Sequence, residues 1–336
     1  MSDFYTMGIE TSCDDSSVAI LKNEREVLVN LISSQIDIHA LFGGVVPEIA
    51  SRKHLEAINP LIEKALCDAN LTYGDIDLIS VTKGPGLMGS LLVGISAAKG
   101  LSLATGVPLI GANHMQGHIC ANYLSNPELK PPFISLVVSG GHTYLCKVNS
   151  YTDYEVVGRT LDDAAGESFD KVARKIGLGY PGGPKIDKLA REGNKEAIEF
   201  PRVMLRKGSL DFSFSGLKTA VLNYAHNMEQ KGEKINEADL AASFQEAVVD
   251  VLVDKSMMVL EETGLKILAV SGGVAANSRL KERLTEACLK RGIKFYHPST
   301  ILCTDNAAMI AMAGYLNYKN GDLDDTYMKV YPNLEL

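Results

Sequence analysis

His114 and His118 stand four residues apart in the stretch Asn113-His114-Met115-Gln116-Gly117-His118, which follows the apolar run Val107 to Ala112. Asn113 is a favourable helix N-cap, and a helix starting there carries both imidazoles on one face. Two imidazoles so placed can bind one metal ion. An isolated pair of this spacing is more often two ordinary helix histidines, one exposed and one bonded to a backbone carbonyl. A catalytic metal also needs at least three protein ligands and an open position. The chemistry therefore turns on a third ligand and on the elements that would deliver it.

Those elements repeat. Tyr5 to Glu10, Ser17 to Leu21 and Val27 to Ser33 read as strands, with an unusually acidic turn from Thr11 to Ser16 between the first two. After the glycine-containing loop His39 to Gly44, a helix is expected from Pro47 to Asp68 and a strand from Ile76 to Val81. A small-residue helix from Gly89 to Ala104, a strand from Val107 to Gly111 and the His114 helix complete the first half. Ser125 to Pro132 interrupts the chain with turn formers and a Pro-Pro pair. The pattern then restarts with strands Phe133 to Val138, Thr143 to Val148 and Tyr154 to Arg159, and a helix from Leu161 to Ile176. An inserted region over about 177–237 opens with the glycine-rich Gly177 to Pro184. Beyond it come a long helix from Ala238 to Thr263, a strand from Lys266 to Val270, a helix from Asn277 to Arg291, a strand from Lys294 to Tyr296 and a helix from Asp305 to Leu316.

Such a duplication implies two similar α/β lobes, residues 1–127 and 128–336, each a sheet covered by helices, with a ligand cleft between them. The last helix of each half would then occupy an equivalent place beside the cleft. Asp305, at the start of the second, would approach His114 and His118 from the opposite lobe. Two histidines and one carboxylate with open positions suit non-haem iron or catalytic zinc. The plain alternative for Asp305 is a helix N-cap or first-turn carboxylate.

Val138-Ser139-Gly140-Gly141 and Val270-Ser271-Gly272-Gly273 are one four-residue word, expected one in each half and each after an apolar strand. Glycines there let the backbone approach a ligand and offer N–H groups to phosphate oxygens. A single such turn would be read as a tight hairpin. Asp170 and Asp187 flank the flexible Gly179 to Pro184, where carboxylates suit ribose hydroxyls. Together these features point to a nucleotide on the second half.

Composition sets the class. With 336 residues, 46% hydrophobic and 22% charged, the chain has an ordinary soluble globular composition, long enough for two domains or one large one. No segment reads as a run of ~18 uncharged apolar residues, and Met1 to Phe4 lacks a signal peptide's basic start, so the expected location is the cytoplasm. The six cysteines are scattered without a C-x-x-C pair, which suggests reduced thiols. A net charge of -8 argues against gripping nucleic acid with the whole surface. Two local basic clusters stand apart from this: Arg202, Arg206, Lys207 and Lys218, and Lys171, Arg174 and Lys175.

The stretches GIETSCD (Gly8 to Asp14), KGPGLMGSLLVG (Lys83 to Gly94), NHMQGH (Asn113 to His118) and VSGGHT (Val138 to Thr143) resemble the tRNA N6-adenosine threonylcarbamoyltransferase family. So do LDDAAGESFDKVARKIGLGYPGGP (Leu161 to Pro184), FSFSGLKTA (Phe212 to Ala220), SGGVAANSRL (Ser271 to Leu280) and LCTDNAAMIA (Leu302 to Ala311). Older usage called the family O-sialoglycoprotein endopeptidases. The resemblance runs nearly end to end. It implies the two-lobed actin and Hsp70-like ATPase (ASKHA) fold and transfer of a threonylcarbamoyl group from threonylcarbamoyl-adenylate to N6 of an adenosine. That adenosine lies just 3′ of the anticodon in tRNAs reading codons that begin with A. His114, His118 and Asp305 match the family's metal ligands, Fe2+ being favoured and Zn2+ the other choice. Val137, Val138, Ser139, Gly140, Gly141, Asp170, Gly183, Asp187 and Asn277 match its adenylate-binding positions. The resemblance also implies an inactive paralogue as heterodimer partner and a small ATPase, although a mitochondrial version acts without them. Asp15 stands where glutamate is frequent, and Gln116 where glutamate often separates the histidines.

The donor is a mixed carbamic-phosphoric anhydride, already activated, so no covalent enzyme intermediate is required. A metal ion at the donor's threonylcarbamoyl end, glycine-turn amides on its phosphate, and an acidic side chain to take the amine proton would suffice. Asp14 is preferred for that proton, with Asp15 open beside it. A metalloprotease would commonly use H-E-x-x-H, but Met115 occupies the glutamate position. An ATP-driven scaffold or chaperone-like ATPase is the competitor from another class, because one fold hosts many functions. Such a protein has no use for the histidine pair and Asp305.

Overall fold

Along Thr6-Met7-Gly8-Ile9-Glu10, Met7 and Ile9 point to one side of an extended strand and Gly8 to the other, so the two faces of the first sheet are dressed for different neighbours. The computed structural model describes residues 3–203 and 208–336. Arg206 and Lys207 of the first basic cluster, and the terminal Met1 and Ser2, lie outside the described residues. The described chain falls into two compact units. The first comprises residues 1–130, 150–153 and 298–336, and the second residues 131–149 and 154–297.

In the first unit, β1 (Tyr5–Glu10), β2 (Asp15–Lys22) and β3 (Glu26–Ser34) form an antiparallel meander. A short helix α1 (Ile36–Ala40) and the long α2 (Pro47–Ala69) follow, then β4 (Leu78–Gly84), α3 (Met88–Thr105), β5 (Leu109–Asn113) and α4 (His114–Ser125). β4 and β5 continue the sheet in parallel, giving the order β3-β2-β1-β4-β5. Ile58 and Ile62 of α2 and Ile95 and Ala98 of α3 pack with Met7, Ile9, Ile20 and Val81 in one buried cluster on one face. α3 is long and apolar enough to cross a membrane by length and composition alone, which the sequence reading missed; here it packs on α2 and β4.

The second unit repeats the plan with β6 (Phe133–Val138), β7 (Thr143–Val148) and β8 (Tyr154–Arg159) as the meander. Its helices are α5 (Ala165–Lys175), α6 (Gly182–Ala190), α7 (Ser215–Lys231) and the largely buried α8 (Glu237–Thr263). Then come β9 (Ile267–Ser271), α9 (Ser278–Lys290) and β10 (Lys294–Tyr296). Among the described residues the second sheet has the order β10-β9-β6-β7-β8, strand for strand the topology of the first. The inserted region is thus not structureless, since it carries α6 and α7.

One boundary is corrected. The sequence reading assigned everything from 128 onward to the second lobe, but α10 (Thr300–Cys303), α11 (Ala307–Lys319) and the tail to Leu336 belong to the first unit. The cause is packing. α11 lies on β1, β2, β4 and β5, across the face opposite α2 and α3. Gly8 permits the approach, because a Cβ there would overlap the Ala307 carbonyl oxygen and sit 2.9 Å from the Ala311 Cβ. Hydrogen bonds then fix the seat: Ser17 Oγ accepts from Ala307 N at 2.8 Å, and Ser80 Oγ donates to Ile310 O at 2.7 Å. The tail is tied down by Asp324, whose Oδ2 accepts from Gly111 N at 2.8 Å.

Gly8→Ala is expected to destabilise the protein by about 1–3 kcal/mol, the usual cost of overpacking a tight contact. Thermal or denaturant unfolding measures it, and an unchanged midpoint would mean that α11 is not seated on β1.

Candidate functional site

The NHMQGH stretch folds as its sequence suggests. Asn113 caps α4, its Oδ1 accepting from Met115 N at 2.8 Å and Gln116 N at 3.4 Å. The helix is buried from His114 through Tyr123, so both imidazoles are interior. Gly117 lets α4 approach α11 closely, since a Cβ there would stand 2.8 Å from Ile310 Cδ1. Gln116 and Asn317 exchange reciprocal amide hydrogen bonds of 2.6 and 3.1 Å. A glutamate at 116 could not donate to Asn317, which gives the glutamine a local reason.

Asp305 sits one residue ahead of the α11 N-cap, which is Asn306 rather than Asp305 itself. Asn306 Oδ1 accepts from Met309 N at 3.1 Å, and its amide donates to Thr304 O at 2.8 Å, which fixes the turn that carries Asp305. The Asp305 carboxylate is thereby free of helix capping and reaches both rings. Its Oδ1 lies 3.4 Å from His114 Nε2 and 3.3 Å from His118 Nε2. Ligand atoms of the three residues all lie within 4.8 Å of one another. Sequence symmetry expected this meeting across two lobes; the structure makes it inside the first unit, because α11 docks on the first sheet beside α4.

These side chains fit a divalent ion. Ligands bound tetrahedrally at 2.0–2.2 Å stand about 3.3–3.6 Å apart, the spacing seen between Asp305 and each ring. Among the described residues His118 Nδ1 and Nε2 are buried without a hydrogen bond, Nε2 having only the long approach to Asp305. Burial holds His118 below the ordinary histidine range, with Asp305 opposing, so the ring stays neutral as a ligand must. Burial also works against charge on His114, but Glu10 and Asp305 outweigh it and lift that ring to about 10. Asp305 is driven up by burial and held well down by the two histidines, the larger effect. Its side chain is 23% exposed against 7% and 0% for the rings, so access to the cluster is from the Asp305 side.

Sequence reasoning missed Glu10. Its buried carboxylate accepts from Ser12 N, from Thr82 Oγ1 at 2.7 Å and from His114 Nδ1 at 2.8 Å. The available signal was a carboxylate ending an apolar strand, a group that burial tolerates only with partners.

The acidic turn follows at once. Gly86 lies against Ser12, and Leu87 N donates to Ser12 O at 2.7 Å, so the KGPGLMG stretch braces the turn. His54 of α2 braces it from the other side: Nε2 donates to Cys13 O at 2.9 Å and Nδ1 pairs with Ser16 Oγ at 2.7 Å. Asp14 lies in this turn at intermediate exposure, and its carbonyl accepts from Gln35 N at 3.2 Å. Asp15 begins β2, and its Oδ1 is buried without a hydrogen bond among the described residues. Burial, followed by the charges of Asp305, Asp14 and Glu10, pushes the Asp15 carboxyl up to about 7 against a hydrogen bond from Ser34.

The remaining predicted positions lie in the second unit. Val137 and Val138 end β6, and in the turn that follows Ser139 N donates to His142 O at 2.8 Å. Gly140 and Gly141 are exposed, with open space where a Cβ would stand. The two Val-Ser-Gly-Gly words, expected one in each half, both lie in the second unit as neighbours, because β6 and β9 pair in parallel with Val137 opposite Ser271. Gly272, at φ +90°, would clash with the Val138 carbonyl if it carried a Cβ. Nucleotide sites of α/β sheets form at such carboxyl ends of strands. Asp170, Asp187 and Asn277 serve as brackets. Asp170 Oδ1 accepts from Gly182 N at 2.7 Å, at the start of α6, where Gly183 faces open space. Asp187 accepts from Ser278 Oγ at 2.8 Å and from Arg191 at 3.1 Å. Asn277 caps α9 through Leu280 N at 2.9 Å and donates to Gln245 at 2.7 Å.

Four of the described side chains of the two basic clusters are in ion pairs. Asp163 takes Lys171 at 2.8 Å and Lys218 at 2.7 Å, Arg202 pairs with Asp250 at 3.1 Å, and Lys175 with Glu229 at 3.2 Å.

Residues 26–312 match the tRNA N6-adenosine threonylcarbamoyltransferase family. A Clostridium beijerinckii protein named tRNA N6-adenosine threonylcarbamoyltransferase is 56% identical over 98% of this chain and 97% of its own length. Among solved structures, full-length HypF in its phosphate- and nucleotide-bound form superposes with a TM-score of 0.62 at 15% identity, over 95% of this chain and 55% of HypF. The (R)-2-hydroxyglutaryl-CoA dehydratase component A of Acidaminococcus fermentans gives 0.55 at 14% identity, over 95% of this chain and all of that one. These two likenesses show the fold, the duplicated α/β ASKHA architecture.

A carboxyl held above its unfolded value of 3.8 favours the folded state while protonated, and that advantage is lost as pH rises through about 7. Asp15→Asn is therefore expected to stabilise the metal-free protein at pH 8 but not at pH 4. Unfolding midpoints at the two pH values check this; equal effects at both would remove the burial of a charged Asp15.

Proposed function

The chain belongs to the tRNA N6-adenosine threonylcarbamoyltransferase family, and on that premise we propose that its transfer is metal-dependent. The reaction takes the threonylcarbamoyl group from threonylcarbamoyl-adenylate to N6 of the adenosine 3′ of the anticodon, in tRNAs reading codons that begin with A, and releases AMP. The observation that carries the metal reading is the approach of one Asp305 oxygen to two buried imidazole nitrogens at 3.3 and 3.4 Å. His114, His118 and Asp305 would hold the ion, Fe2+ in preference to Zn2+. When bound, it supplies Lewis-acid polarisation of the carbonyl under attack.

The chain's own groups do the rest. The amine nitrogen forms a bond to the carbamoyl carbon, the carbon–oxygen bond to phosphate breaks, and AMP departs with the electron pair. A carboxylate of the acidic turn takes the amine proton. Asp14 is the first candidate. Asp15 is a second reading favoured by its buried, unbonded oxygen and a carboxyl near 7, where a general base works best. The exposed amides of Gly140 and Gly141 offer donors to the phosphate, while Asp170, Asp187 and Asn277 hold α6 and α9 in place around them.

A heterodimer with an inactive paralogue and assistance from a small ATPase belong to the same proposal. Exposed apolar side chains on adjacent helices support a protein partner: Leu55 of α2, and Met88 and Leu92 of α3, are 65%, 52% and 47% exposed. A cytoplasmic site of action is part of the same proposal.

Reconstitution tests the reading: tRNA, threonine, bicarbonate and ATP with the adenylate-making enzyme, one protein omitted at a time. His114→Ala is expected to lose bound metal and transfer together, and normal transfer by the metal-free variant would reject the ion's role. For the base, the variant that removes the true carboxylate should lower the transfer rate by about 10²–10⁴-fold. If Asp15 serves, wild-type activity rises with pH through about 7 and Asp15→Asn loses that limb; if Asp14 serves, Asp14→Asn alone carries the loss.

A further inference from the structure

The geometry points to Glu10 as the positioning residue of the candidate metal centre: its buried carboxylate holds the proton of His114 on Nδ1 and so presents Nε2 to the ion. This rests on the metal reading of His114, His118 and Asp305 given above.

Three donors from three separate places converge on Glu10. Thr82 Oγ1 comes from β4 at 2.7 Å, His114 Nδ1 from the start of α4 at 2.8 Å, and Ser12 N from the turn that follows β1. Glu10 and His114 are both almost inaccessible, their side chains 0% and 7% exposed, so no water competes effectively for the ring proton. Ser12 Oγ is the other group near Nδ1, but at 3.2 Å and uncharged it is the weaker acceptor. The opposite ring nitrogen of His114 faces Asp305. One imidazole is therefore clamped between two carboxylates, one behind it and one beside the ion position.

The two histidines are unequal in this respect. His118 Nδ1 has no hydrogen-bond partner among the described residues. A carboxylate behind a ligating imidazole fixes its tautomer and raises its basicity, and losing one typically costs 10–100-fold in metal affinity. Charge points the same way. With an ion bound and both rings neutral as its ligands, Glu10 and Asp305 together would carry the two negative charges that a divalent ion balances, whereas Asp305 alone would leave the interior positive.

The test uses full-length protein and Zn2+ as probe. Competition against a chromophoric chelator gives affinities for wild type, Glu10→Gln and His114→Ala, and ¹⁵N spectra of zinc-loaded wild type give the ring tautomers, His114 being identified by its loss in His114→Gln. Glu10→Gln is expected to bind zinc about 10–100-fold more weakly than wild type, and His114 to show a protonated Nδ1 with the metal on Nε2. Glu10→Gln binding within twofold of wild type would overturn the assignment, as would a His114 protonated on Nε2. Should Glu10→Gln not fold, the wild-type tautomer decides alone, and a merely structural role for Glu10 would not dictate it. Wild type that binds no zinc at all overturns the metal reading and the Glu10 role together, whereas zinc bound equally by wild type and Glu10→Gln removes only the latter.

Discussion

Two carboxylates, Glu10 and Asp305, are held against opposite edges of one buried imidazole, and an interior tolerates that much negative charge only beside a compensating cation. Much of the first unit follows from keeping this arrangement intact. Asp305 arrives from far along the chain because α11 lies on the first sheet, a seat that needs the bare backbone of Gly8 and the hydroxyls of Ser17 and Ser80. His118 reaches the same point because Gly117 lets α4 settle against α11. Asn306, by capping α11 itself, leaves the Asp305 carboxylate to the histidines.

The acidic turn is built with similar care. Ser12, Cys13 and Ser16 are gripped by Leu87, His54 and Glu10, so the carboxylates of Asp14 and Asp15 leave a fixed backbone. His54 is pushed by burial below its ordinary range and remains a neutral brace. In the second unit the division is different. The turn after β6 stays open at Gly140 and Gly141, while the polar side chains of Asp170, Asp187 and Asn277 are spent on holding helix ends together. Such pre-organisation by side chains that are themselves locked is what a positioned transfer reaction requires. The fold alone does not specify that reaction, since HypF and a dehydratase component share it at about 15% identity or less.

Both meanders were legible in the sequence, because short runs rich in apolar and β-branched residues are bounded by turn formers. The cap at Asn113 and the shared face of His114 and His118 were legible for the same local reasons. The placement of Asp305 was read correctly as proximity but in the wrong frame. Repeat symmetry says that two helices are equivalent in sequence, not which sheet each covers, and the packing of α11 on β1 is a tertiary preference written in small residues at Gly8, Ala307 and Ala311. Glu10 escaped notice because nothing local to Thr6-Met7-Gly8-Ile9-Glu10 names Thr82 or His114 as its partners. The short helix α1, and α6 and α7 within the insertion, were hidden by glycine and proline near their ends.

X-ray absorption at the zinc edge of the fully loaded protein examines the core of this picture most directly. Two imidazole nitrogens and carboxylate or water oxygens at about 2.0–2.2 Å, with no sulfur, are the shell that His114, His118 and Asp305 predict. A sulfur scatterer at about 2.3 Å, or fewer than two imidazoles, would contradict an ion held by these three side chains.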